Sequence, residues 1–355
     1  MNSSTYSLSR RAVLRHAGRF AVAAPFLTVL GCSEDPLVGT RLSFSGLTMG
    51  TYYRVTIIRS RSMSEPHRIQ TGVERVLETI NWQLSTYRPE SELSKINASP
   101  ETVWLEVSPE VAHVVTKALE ISRLSSGTFD ATIAPLINLW GFGPDKQSVY
   151  SHKDKRITEA LGKIGHHLLE VKEAPAAIRK SRPDLHVDLS GIGKGSAVDK
   201  VADHLARAGA EHFLVDIGGD MRARRASSIE ATWRIGIERP SIGSSRTVHR
   251  VINVGDGALA TSGNYRNFFK TAGFHYSHII DPRTGAPVNH DLASVTVIAP
   301  TAEEADAWST AFMVCGPDAG LELAERLGIP AFFIIRTKSG LVDQPSSEFR
   351  RFLIG

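Results

Sequence analysis

The sequence predicts an α+β fold of mixed sheets and packed helices, long enough for a large single domain or two fused lobes. Three observations carry this. Apolar residues recur at helical spacing in several separate segments. Short runs with strand character stand between them, many closed by glycine turns. The two kinds do not alternate strictly, as a doubly wound parallel sheet would require.

The elements follow in chain order. Ser9-Arg10-Arg11 opens a basic segment that also holds Arg15 and Arg19, and an uncharged stretch runs from Phe20 to Gly31. That stretch is shorter than the roughly 20 residues of a membrane-spanning helix. Its length and basic flank fit a signal peptide over residues 1–31, and the arginine pair points to twin-arginine export. Val29-Leu30-Gly31-Cys32 resembles a lipoprotein box, which would make Cys32 the lipidated N-terminus. The alternative is an ordinary secretory signal with an incidental cysteine. Residues 32–45 are expected to be a tether and 46–355 the folded domain.

Gly46 to Ile58 reads as a strand with Met49-Gly50-Thr51 near its start. Ile69, Val73, Val76, Leu77, Ile80 and Leu84 mark a helix over 67–84. Ser108 and Pro109 start another helix as N-cap and first residue, and Gly127 closes it. Residues 145–183 are more polar and read as peripheral. His186 to Leu189 reads as a short strand entering a glycine loop, Gly191-Ile192-Gly193-Lys194-Gly195, before a helix over 196–208. Strands are expected at Phe213–Ile217, Trp233–Ile237, Val248–Val254 and Ser294–Ala299. Thr301 with Glu304 forms a capping box for the next helix. A helix over 318–327 and a last strand, Ala331–Arg336, complete the reading. Asp188-Leu-Ser-Gly and Asp216-Ile-Gly-Gly are faintly alike, which hints at a duplicated half.

Composition excludes some classes of function. The chain has 41 basic and 37 acidic residues, and residues 1–31 hold four arginines and no acid. Without them the charge balances at 37 of each. No basic stripe with interleaved aromatics is present, so nucleic acid is not an expected partner. With only Cys32 and Cys315, cysteine-based zinc sites are excluded by count. Cys315 reads as an inert buried thiol.

The stretch Tyr276–Thr310 carries the densest chemistry. It brings His278 into a polar turn, Asp281-Pro282-Arg283-Thr284-Gly285, and ends on a helix bearing Asp306 and Thr310. Residues four apart share one helix face. Asp306 sits among Ala305, Ala307 and Trp308, and a carboxylate in apolar surroundings needs a partner or a metal. Magnesium takes such oxygen ligands together with waters and phosphates; an arginine from elsewhere satisfies the carboxylate equally well. The glycine loop 191–195 either offers N–H groups and Lys194 to a phosphate or makes a tight turn; GxxxxGK[ST] and GxGxxG are both absent. His278 is either a hydrogen-bonded strand histidine or a base titrating near neutrality. Asp130 reads as a loop carboxylate. Trp140-Gly141-Phe142-Gly143 is either loop packing or a wall for a planar ligand.

Taken together, these segments resemble the ApbE family, the FAD:protein FMN transferases. The resemblance runs over most of residues 46–335. It rests on Met49-Gly50-Thr51, Ser85-Thr86-Tyr87, Gly127-Thr128-Phe129-Asp130, Leu139 to Gly143, Asp188 to Gly191, Gly193-Lys194-Gly195, Asp216 to Gly219, Ala260 to Gly263 and the 276–310 stretch. It implies a single ApbE-like domain that uses Mg2+ and takes FAD as substrate. FMN would be attached by a phosphoester bond to a Thr or Ser of a target flavoprotein, such as a subunit of a membrane redox complex, and AMP would leave. By motif position, Met49, Tyr87, Thr128, Phe129, Asp130, Asp188, Lys194 and Ile279 would contact FAD. Asp306, Thr310 and the Gly191 carbonyl would hold the metal. For catalysis we expect His278 as base or charge stabiliser, with Asp281 beside it and Arg283 on phosphate. Ser309 stands where relatives often carry a second Asp, and Lys194 where some carry Glu. The family's lipoproteins fit a periplasm-facing, membrane-anchored location. Two alternatives stay open: hydrolysis of FAD to FMN and AMP, and a non-catalytic flavin-binding lipoprotein.

Overall fold

The computed structural model describes residues 39–59, 65–144, 154–226, 232–241, 247–264, 268–271 and 274–354. The expected signal, Cys32 and most of the tether lie outside them.

A hairpin opens the fold: β1 (Arg41–Thr48) and β2 (Thr51–Ile58). The expected single strand is therefore two, and β1 takes up residues 41–45 of the expected tether. Met49 and Gly50 both have positive φ, 48° and 70°, which gives the two-residue turn whose twist matches paired strands. Then come α1 (Pro66–Leu84), α2 (Glu92–Ala98), β3 (Leu105–Glu106), α3 (Pro109–Leu124), α4 (Ala134–Leu139) and α5 (Lys155–Leu161). Ser108 caps α3 through its hydroxyl. The polar segment after residue 145 also yields β4 (Leu169–Glu173) and β5 (Ala176–Lys180), which form a small sheet with β3.

α6 (Gly193–Arg207) is followed by the hairpin β6 (Phe213–Ile217) and β7 (Asp220–Arg224), the ribbon β8 (Trp233–Glu238) and β9 (Val248–Val254), and β10 (Gly257–Gly263). Two small hairpins come next, β11 (Phe268–Thr271) with β12 (Phe274–Ser277), and β13 (Ile280–Asp281) with β14 (Ala286–Pro287). The chain ends through β15 (Leu292–Ala299), α7 (Ala302–Cys315), α8 (Pro317–Leu327), β16 (Ala331–Thr337) and β17 (Gly340–Pro345). Ala331–Arg336 is thus not the last strand, because β17 pairs with it at the sheet edge.

His186–Leu189 is not a strand either. Its backbone groups bond to other partners: Val187 N–H and C=O both meet the Asn97 amide, at 2.7 and 2.8 Å, and Asp188 N–H donates to the Ala131 carbonyl. Asp216, by contrast, lies in β6. The two similar motifs therefore occupy different local structures.

Eight strands form one antiparallel sheet in the order β1-β2-β6-β7-β10-β15-β16-β17. One face is covered by α1, α6 and α7 over a large apolar cluster that includes Val55, Ile57, Val198, Val297 and Phe312. The other face carries the β8–β9 ribbon over Trp233, Ile252, Phe332 and Phe349. A third cluster, Leu136, Leu139, Trp140, Ile157 and Ile280, holds α4 and α5 to the β13–β14 hairpin. Trp140 is buried there and donates its indole N–H to the Gly285 carbonyl at 2.7 Å, so it is packing and not a ligand wall.

Candidate active site: a two-lobed cleft

Asp306 and Thr310 lie one turn apart on α7 and face a cavity of about 410 Å3. Two elements close it around them. The Gly191 loop leads into α6, and a Cβ at Gly191 would come within 3.3 Å of Thr310 Oγ1. The β6–β7 turn, Gly218-Gly219, takes positive φ at both residues. It is fixed by Asp216, which accepts from Gly219 N–H at 2.9 Å and from the Tyr52 hydroxyl at 3.2 Å. A wider lobe of about 1160 Å3 adjoins the first. Tyr52, Asp188, Ser190, Lys194 and His278 line both, so they stand at the junction.

Thr128, Phe129, Asp130, Gly191 and Ile279 line the first lobe with Asp306 and Thr310, and Met49 and Tyr87 line the second. Asp188 keeps one oxygen on Ser190 N–H at 2.8 Å. Asp130 is held by its own loop and a distant segment: it accepts from Thr132 N–H and Oγ1 and from His166 N–H. It meets the cavity as a wall rather than as an available acceptor. His278 sits on the bend after β12, not within a strand, with its ring edge-on to Phe142 at 6.3 Å.

Asp281 and Arg283 do not line either lobe. Arg283 donates twice to Asp281, at 2.9 and 2.8 Å, and its backbone N–H also bonds that carboxylate. The pair closes the β13–β14 turn, so the expected catalytic Asp281 and phosphate-holding Arg283 engage each other in this structure. The physical reason is proximity: a guanidinium two residues away satisfies the carboxylate before any ligand arrives.

Lys194 does not point freely into the cleft. Its ammonium lies 3.0 and 3.1 Å from the two oxygens of Asp306 and 2.9 Å from Asp220 Oδ2. Gly195 N–H adds a bond to Asp306 at 3.1 Å. The partner of the buried Asp306 is therefore a lysine from α6, not an arginine. Burial alone would lower the Lys194 pKa, but Asp220 and Asp306 outweigh it and raise it. Burial, with Asp306 nearby, pushes the Asp220 carboxyl up to about 7 against the pull of Lys194. Asp220 Oδ2 is close enough for charge attraction, yet no donor is aimed along its lone pair.

Asp220 and Tyr52 escaped sequence reasoning, and Asp216 and Ser262 entered it only as parts of motifs, without a role at the site. Asp220 opens a buried strand just after a glycine pair, the one signal that marked it. Ser262 lies 2.8 Å from Ser309 Oγ and 3.5 Å from Thr310 Oγ1. Ser309 is fully buried and donates to the Asp306 carbonyl at 2.9 Å. It therefore does not supply a second acid to the cavity.

The donor set fits a hard cation. Asp306, Thr310 and the Gly191 backbone are neighbours at one cavity and all carry oxygen, and the Lys194 ammonium sits against Asp306 where a cation would compete with it. No cluster of three or more His, Cys, Asp or Glu arranged for a metal occurs among the described residues. A single-carboxylate site of this kind suits magnesium, which commonly completes its shell with water and substrate phosphate.

A sheet-backed α+β domain with a long cleft and a charged junction defines a protein for an extended, polar-centred ligand. The model of the ApbE family matches residues 49–333. An FAD:protein FMN transferase of Vibrio cholerae is 40% identical over 332 residues, covering 93% of this chain and 97% of that protein. One from Haemophilus influenzae is 36% identical over 339 residues. The solved flavin transferase ApbE of Vibrio cholerae superposes with a TM-score of 0.80 at 38% identity, covering 88% of this chain and 99% of that one. The apo form of the Pseudomonas stutzeri flavinyl transferase ApbE gives the same score at 35% identity. The chain belongs to the ApbE family.

Proposed function

We propose that this chain is a magnesium-dependent FAD:protein FMN transferase. The observation that carries the reading is the cleft itself: an oxygen donor set and a charged junction between two lobes, in a chain that matches these transferases over nearly its whole length. FAD is an extended molecule with its pyrophosphate in the middle. The junction, with Lys194 and Asp188, is the natural seat for that centre. Asp306, Thr310 and the Gly191 carbonyl would hold Mg2+, which when bound neutralises pyrophosphate charge.

The chain's own residues do the rest. The lobes orient the two halves of FAD, since positioning dominates phosphoryl transfer. His278, lining both lobes, takes the proton from the acceptor hydroxyl. The hydroxyl oxygen forms the new bond to the FMN phosphorus, the P–O bond to AMP breaks, and AMP leaves. The acceptor is a Thr or Ser of a target flavoprotein, such as a subunit of a membrane redox complex. Export with a lipid on Cys32, facing the periplasm, would bring the site to such membrane partners. Among the described residues no helix is long and apolar enough to cross a membrane.

Intact-mass spectrometry of a candidate acceptor incubated with the enzyme, FAD and Mg2+ tests the reading. The acceptor should gain one FMN, and the gain should vanish when its acceptor Thr is replaced by Val or when EDTA is added. An unmodified acceptor, across several candidates, contradicts transfer.

A further inference from the structure

Lys194 does more at the cleft than face the junction: it is paired with two buried carboxylates, Asp306 and Asp220. Asp306 is buried, at 3% exposure, and a carboxylate stripped of water needs compensation. In this structure the compensation comes from within the chain: the Lys194 ammonium sits 3.0 and 3.1 Å from its two oxygens. The same ammonium is 2.9 Å from Asp220 Oδ2, in the next strand of the cavity wall. Asp220 Oδ2 makes no hydrogen bond to any other described group, so it already grips the ammonium from a second side. Lys194 has a third face, because it lines both lobes of the cleft.

We propose that Lys194 is an internal stand-in cation: it neutralises Asp306 in the metal-free protein and gives that carboxylate up when a divalent cation binds, with Asp220 as the seat that retains it. This inference rests on the reading of Asp306 as a metal ligand. Two unit charges a few ångströms apart in a partly buried site interact strongly, so ammonium and divalent cation compete for one carboxylate. Release from Asp306 leaves the ammonium held by Asp220 alone and facing the junction where the FAD pyrophosphate is proposed to lie. Asp220 is a positioning residue in this scheme, acting through Lys194.

The test reads metal binding and stability rather than turnover. Mn2+ is titrated into wild type, Lys194→Met, Asp220→Asn and Asp306→Ala without FAD and followed by electron paramagnetic resonance. Melting temperatures are taken in EDTA and in Mg2+. Lys194→Met should bind Mn2+ at least about tenfold more tightly than wild type, because its competitor is gone. In EDTA it should melt lower than wild type, by at least about 3 °C, and Mg2+ should raise its melting temperature more than that of wild type. Asp220→Asn should bind Mn2+ more weakly than wild type, because the ammonium then has Asp306 alone. Equal or weaker Mn2+ binding by Lys194→Met overturns the proposal, as does the absence of binding to either protein at millimolar Mn2+. Should Lys194→Met fail to fold even with Mg2+, tighter binding by Asp220→Asn overturns it. An Asp306→Ala protein that binds Mn2+ like wild type removes the metal reading itself, which separates the two failures.

Discussion

At the scale of single residues, the cleft turns on what each buried polar group already holds. Asp130 and Asp281 look alike in sequence, each an acid at a loop. The structure ties Asp130 to its own turn through Thr132 and to a distant segment through His166 N–H, and ties Asp281 to its own turn through Arg283. Asp306 instead meets a lysine across the cavity. The metal role proposed for it predicts that Asp306→Ala loses FMN transfer by more than the roughly 10–100-fold that losing a mere supporting partner of a metal ligand costs. Steady-state assays at saturating FAD check this, and a loss of under tenfold would contradict it. The Asp306–Thr310 spacing was legible because four residues make one helical turn. Lys194 as the partner of Asp306 was not, because 112 residues separate them and no local periodicity links them. Asp220 was invisible for the same reason.

At the scale of elements, the site depends on how closely α6 approaches α7. Asp199 of α6 accepts from the N–H groups of Ala302 and Glu303 at 3.0 and 2.9 Å, so one helix caps the start of the other. Gly195 makes the close approach possible: a Cβ there would lie 2.2 Å from the Ala302 carbonyl oxygen. Backbone cannot move aside as a side-chain tip can. Gly195→Ala should therefore destabilise by about 1–3 kcal/mol or more, as overpacking does, and it should weaken activity by moving Asp306. Denaturant unfolding measures the first effect, and a change within about 0.5 kcal/mol would contradict the packing argument. The amphipathic helices and β6, β8 and β9 were readable from period and caps. The β1–β2 hairpin and β17 were not: each hides a tight turn in a run that reads as one strand or as a tail. His186–Leu189 misled because an extended apolar run looks the same whether sheet neighbours or Asn97 satisfy its backbone.

At the scale of the whole molecule, the fold buries titratable groups whose pH responses oppose one another. Burial lowers the pKa of His204, His212 and His290, so the unfolded chain binds more protons. Their contribution is present at neutral pH and is lost as pH falls through the unfolded histidine value of about 6.5. Asp199 and Asp220, raised by burial, act in the opposite sense. A single substitution isolates one of these effects. His212 stacks on Trp233 with ring centroids 4.7 Å apart, and its Nδ1 has no hydrogen-bond partner. His212→Phe keeps the stack and removes the titration. Relative to wild type, the variant should gain stability between pH 7.5 and pH 5.5; a constant difference would contradict the sign. The α+β class was legible from mixed periodicities. The two lobes were not, because the first arises where the main sheet, α7 and the β8 ribbon meet and the second where the β1–β2 turn meets the end of α1. The central claim is transfer of FMN to protein at this cleft. Its most direct test counts AMP released and FMN covalently attached in one reaction of the full-length protein with FAD, Mg2+ and an acceptor flavoprotein. Equal amounts of AMP and protein-bound FMN are predicted, with both abolished in Asp306→Ala. AMP matched by free FMN instead, with the acceptor unmodified, would contradict it.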